Sequence, residues 1–143
     1  MLLPYLANEL HEGLRRSTPL NPKTQDLRAD IIAWRPFNDL RGGQLVLFVQ
    51  CAIGQNWTAK LTELNVDLWK HYLEFVASPL RAFAFPYIEP NNSKWLEYGT
   101  LGGIAFDRLR LIEVLSEVAM ERTLKSQIVN WTKQQIKKLP WDE

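Results

Sequence analysis

Asp30 and Gln50 are polar residues set at the edges of otherwise apolar, strand-like runs. Asp30 opens the segment Asp30-Ile-Ile-Ala-Trp34, and Gln50 comes late in Leu45-Val-Leu-Phe-Val-Gln-Cys51.

 Setting a carboxylate and an amide into a sheet costs on the order of several kcal/mol unless they are paired, hydrogen-bonded or bound to a metal. The two runs are joined by Asn38-Asp-Leu-Arg-Gly-Gly43, which has the chemistry of a tight connection. The strands can therefore lie side by side, and the two groups can approach each other. Together they offer oxygen ligands suited to a hard cation, Mg²⁺ or Mn²⁺. Lys60 follows, just inside a helix expected to begin near Trp57. Ala52 shares a strand face with Gln50, and its small side chain leaves room for a lysine whose methylenes pack on Trp57 or Trp34.

Each of these residues also has an ordinary reading. Asp30 alone is a hydrogen-bonding residue at a strand start, Gln50 alone a satisfied core amide, and Lys60 alone a solvated lysine. Asp39 rivals Asp30, but Asn38, Gly42 and Gly43 around it mark a turn residue first. His11 and His71 have no ligand-spaced partner, which argues against zinc. Cys51 alternates away from the Gln50 face and reads as a small buried hydrophobe, not a nucleophile. Being the one cysteine, it excludes an internal disulfide. Ser17, Ser78 and Ser116 lack any Gly-x-Ser-x-Gly context, so acyl transfer has no support.

The elements that must position these groups can be read from the spacing. Leu6, Leu10 and Leu14 predict an amphipathic helix over residues 4–16, and Ser17 to Asp26 a loop. Two strands follow, the second apolar on both faces until Gln50 and so expected inside a covered sheet. Trp57, Leu61, Leu64, Leu68, Tyr72 and Phe75 predict one helix, or two joined near Asn65. Arg81–Phe85 reads as a strand, Pro90–Ser93 as a loop before a short helical turn around Trp95. Gly102–Phe106 and Leu109–Ile112 predict a last, bent strand. A long helix runs from about Ser116 to Leu139 and stops at Pro140. The expected class is α/β, a mixed sheet flanked by helices in the order α-β-β-α-β-β-α, forming one domain over residues 1–143 that could belong to a longer protein.

Composition sets outer bounds. Hydrophobic residues make up 46% and charged residues 23%, values of a globular chain and not a disordered one. With six Trp, several must be core residues, and Trp34, Trp57, Trp69, Trp95 and Trp131 are assigned there by default. A net charge of +1 gives no general argument for nucleic-acid binding, so any DNA contact needs a local patch. Arg122, Lys125, Lys133, Lys137 and Lys138 on the last helix are read first as solvated residues complementing its dipole. No apolar run is long enough for a bilayer, and no secretion signal is evident. The expected location is the cytoplasm.

The order helix, strand with Asp, hairpin, strand with Gln, helix resembles the core of the PD-(D/E)XK nuclease superfamily, the restriction-endonuclease-like fold. The resemblance covers roughly residues 5–110 and rests on Asp30, Gln50 and the segment from Gln50 through Trp57 to Lys60. It implies that Asp30 and Gln50 bind one or two divalent cations. The family's lysine, usually two residues after the Glu/Gln, is replaced here by Ala52. Some members supply it from the following helix, which implies that role for Lys60. A Glu on the first helix contacts the metal in some members, so Glu9 and Glu12 are candidates, Glu9 being placed nearer the buried face. The implied activity is Mg²⁺- or Mn²⁺-dependent hydrolysis of DNA, and a defence setting is common in the superfamily. Ala52 motivates the alternative, a nuclease-like fold without catalysis that serves as a nucleic-acid or protein interaction module. A third reading is a small α/β protein of toxin–immunity or regulatory type with Phe83–Tyr87 at an interface. A homodimer or a partner protein is compatible with all three.

Overall fold

Leu3, Leu6, Ala7 and Leu10 are buried along one side of the first helix, α1 (Leu2–Leu10), at the three- and four-residue spacing of a helical stripe. The computed structural model describes residues 2–15, 27–116 and 122–137. These belong to two compact units, Met1–Leu109 and Arg110–Glu143. α1 is shorter than the expected helix over 4–16. His11 takes a left-handed φ of 52°, and Glu12 N–H bonds back to the Ala7 carbonyl at 3.0 Å, a helix-ending reversal. The chain then enters a two-residue strand, β1 (Gly13–Leu14).

Two strands come next in the first unit, β2 (Ile31–Arg35) and β3 (Leu45–Cys51), paired antiparallel with Ile31 opposite Val49 and Arg35 opposite Leu45. A 3-10 turn over Trp57–Lys60 leads to the short α2 (Val66–Trp69), whose N-cap Asn65 accepts the Asp67 N–H at 2.9 Å. β4 (Leu73–Glu74) pairs with β1. β5 (Leu80–Ala84) then joins β3 in parallel. α3 (Asn92–Gly102) is capped by Asn91, which accepts from Ser93 N at 2.9 Å and Lys94 N at 3.2 Å. β6 (Ile104–Phe106) returns parallel to β5. The main sheet is therefore mixed, in the order β2-β3-β5-β6.

One face of this sheet carries the core. Val46 and Phe48 join α1, Leu64, Trp69 and Leu73 in one apolar cluster. Ala52, Leu61, Phe83, Phe85, Tyr98 and Ala105 form a second, with Trp57 and Trp95 packed against it. Trp57 lies 4.4 Å from Phe85 between ring centroids, at an interplanar angle of 18°. That stacking fixes the 3-10 turn over the sheet.

The second unit takes in most of α4 (Arg108–Ser116) and all of α5 (Arg122–Ile136). Trp131 is 63% exposed, against the core placement expected of it, while Trp69 at 1% fits that expectation.

The mixed α/β class agrees with the sequence reading, but several elements differ. Leu109–Ile112 is helix, part of α4, where a strand was expected. Four residues are too few to separate strand from helix, and Leu, Arg and Glu within and around them are good helix formers. The short turn around Trp95 is the 11-residue α3. Of the one or two helices expected over Trp57–Phe75, only the 3-10 turn and α2 form, on either side of Asn65, and Leu73–Glu74 is the strand β4. The loop from Ser17 to Asp26, residues 117–121 and the helix stop at Pro140 lie outside the described residues.

Candidate functional site

Asp30 precedes β2 by one residue, and the β2–β3 register begins at Ile31, opposite Val49. Asp30 N–H donates to the Val49 carbonyl at 2.9 Å. Its carboxylate accepts the Cys51 N–H through Oδ2 at 2.6 Å. The exposed Asp30 thus fastens the start of one strand to the end of the next. Charge-assisted bonds of this length are stronger than neutral ones.

Gln50 occupies an inner strand and is 4% exposed. Its Nε2 donates to Glu63 Oε2 at 3.2 Å. Its Oε1 is buried without a hydrogen-bond partner among the described residues. Glu63 also pairs with Arg28, Nη1 to Oε2 at 3.4 Å. Both Glu63 and Arg28 were missed in the sequence. The signal for Glu63 was its place one turn after Lys60, confirmed by its N–H on the Lys60 carbonyl at 3.1 Å. It sits between Leu61 and Leu64, which are both buried. Nothing in the sequence singled out Arg28.

Lys60 ends the 3-10 turn and is exposed. Among the described residues no hydrogen bond or ion pair ties it to Asp30 or Gln50. The space beside Ala52 is filled by Leu61, Phe83 and Phe85 of the second apolar cluster.

The two first-helix candidates occupy different surroundings. Glu12 is 7% exposed and accepts the Gly43 N–H at 2.8 Å and the Val76 N–H at 2.9 Å. Glu9 is only half-buried and lines a cleft with His11, Trp34 and Phe37, beyond the Arg35 end of β2. The expected order, Glu9 nearer the buried face, is reversed, because the chain reversal at His11 turns Glu12 inward.

Cys51 is exposed, which corrects the buried placement expected of it. It ends β3, and the last residue of a strand has less cover than those before it. Partial burial of the sulfur, and then the nearby Asp30 carboxylate, push its thiol above the ordinary range. A raised thiol is a poor nucleophile at neutral pH.

Among the described residues no three His, Cys, Asp or Glu side chains gather as a metal-holding group. No helix among the described residues is long and apolar enough to cross a membrane. No protein-family model, curated protein or solved structure matches the chain.

Proposed function

We propose that this chain is a divalent-metal phosphodiesterase acting on DNA, with Asp30 and Gln50 as ligands for Mg²⁺ or Mn²⁺. The buried, donorless Gln50 Oε1 carries this reading. A buried acceptor without a partner is costly, and a hard cation is one group that would satisfy it. Asp30, one residue before β2 and bonded to the N–H of Cys51 next to Gln50, supplies a carboxylate of matching hardness. The residues present fit such an ion on the chemistry of their donors. When bound, the metal lowers the pKa of a water and neutralises phosphate charge. The exposed Lys60 ammonium is available to counter negative charge developing on the phosphate.

The second reading is an interaction module that keeps the fold without catalysis. Ala52 at the usual lysine position, packed among apolar side chains, favours it.

Cleavage of plasmid DNA with Mg²⁺ or Mn²⁺, wild type against Asp30→Ala, separates the two. The expected result is cleavage by the wild type and none by the variant. Equal cleavage by both rejects the assignment. Absence of cleavage, together with absence of Mn²⁺ binding by calorimetry, leaves the interaction module.

A further inference from the structure

The Gln50 amide is held from one side only, with Nε2 on Glu63 Oε2 at 3.2 Å and Oε1 buried without a donor among the described residues. An ionised carboxylate only accepts hydrogen bonds, whereas an amide presents a donor end and an acceptor end. A flipped Gln50 would set its oxygen against Glu63 with no proton between them. The arrangement therefore favours Oε1 turned away from Glu63. Arg28 pairs with the same carboxylate oxygen, Nη1 to Oε2 at 3.4 Å. Arg28 has a left-handed φ of 63° and Leu27 before it one of 49°. Side chains other than glycine seldom adopt that region, and it persists where the surroundings over-determine it.

We infer that Glu63 is a positioning residue which, held by Arg28, orients the Gln50 amide so that Oε1 is the acceptor presented to a divalent cation. The identity of the ligand rests on the metal-site reading; the orientation is a property of the metal-free chain. The same contact accounts for an amide at position 50. A glutamate there would face Glu63 as a second carboxylate, and like charges at such a distance disfavour double ionisation.

The test follows the Gln50 side-chain NH₂ resonances in isotope-labelled, metal-free protein and measures Mn²⁺ binding by calorimetry. Wild type is compared with Glu63→Gln, with Glu63→Asp, and with the exchange Gln50→Glu plus Glu63→Gln. Glu63→Gln lets its neighbour meet either end of the amide. The expected result is displaced or doubled Gln50 NH₂ resonances and Mn²⁺ binding weakened by roughly tenfold or more, as for other residues that orient metal ligands. Glu63→Asp keeps the acceptor and shows a smaller change, and the exchange, which restores a donor facing a carboxylate, recovers binding. Unchanged Gln50 resonances in Glu63→Gln overturn the inference. So does Asp30-dependent Mn²⁺ binding that Glu63→Gln leaves untouched, and in that case the metal site stands. Displaced resonances in a protein that binds no Mn²⁺ support the orientation and sink the metal reading alone.

Discussion

Asp30 Oδ2 accepts the backbone N–H of Cys51 at 2.6 Å, and the same carboxylate helps to hold the Cys51 thiol above its ordinary range, after the larger effect of burial. Asp30→Asn keeps an acceptor oxygen for the N–H but removes the charge. The thiol then moves down toward its usual range, and its thiolate fraction at pH 8 rises. The expected outcome is faster reaction of Cys51 with an aromatic disulfide reagent in Asp30→Asn than in wild type. A rate that is unchanged or slower places the carboxylate elsewhere in solution.

Glu12 predicts a stability effect of its own. Its carboxylate serves the Gly43 and Val76 N–H groups at 2.8 and 2.9 Å from a buried position. Glu12→Ala strands both donors, at a cost of about 2–4 kcal/mol for two buried, charge-assisted bonds. Glu9→Ala, one turn earlier and half-buried, is expected to change stability by only about 0.5 kcal/mol. Urea unfolding of the two variants checks this, and similar midpoints for both count against the clamp.

The strand pair at the candidate site was legible in the sequence because its signal is local. Apolar runs bounded by Pro36 and Gly54 gave β2 and β3 nearly to the residue, and the short connection gave their antiparallel pairing. Asp30 and Gln50 stood out because polar groups in such runs need a reason. Glu63 and Arg28 did not, since an exposed-looking glutamate in a helical stretch and an arginine near a loop are common. Their meeting depends on how the 3-10 turn packs over the sheet, which no short window of sequence encodes. Glu12 was misjudged for a related reason: helical spacing was extended past His11, where the backbone reverses. The span Leu109–Ile112 failed because four residues are too few to favour either periodicity.

Tyr98 should make stability fall in alkali. It is buried and donates to Glu89 Oε2 at 2.9 Å. Burial first, and then the hydrogen bond and charge of Glu89, push its phenol up to about 12. An unfolded tyrosine titrates at about 10. Over that interval the unfolded chain releases the proton while the folded chain keeps it, so the stabilisation is complete below about 10 and is lost as pH rises toward 12. Urea unfolding at pH 9 and pH 11 is expected to show a steeper loss in wild type than in Tyr98→Phe. Equal losses refute this assignment, because the remaining lysines and tyrosines titrate in both proteins.

Gly103 and Gly54 separate two costs of adding a side chain. Both hold positive φ, 86° and 98°, so alanine is strained at either, by roughly 1–3 kcal/mol. At Gly54 a Cβ would meet nothing within 4 Å, leaving backbone strain as the cost. At Gly103, between α3 and β6, a Cβ would run into the Arg81 carbonyl oxygen and lie 3.1 Å from Arg81 Cβ. Arg81 belongs to β5, the strand that pairs with β6, so relief requires moving the sheet. Gly103→Ala is therefore expected to cost more than Gly54→Ala by at least about 2 kcal/mol, or to prevent folding, as the largest single-residue effects do. Urea midpoints decide the matter: comparable losses for the two variants would mean that close approach to β5 contributes little and that φ alone sets both costs.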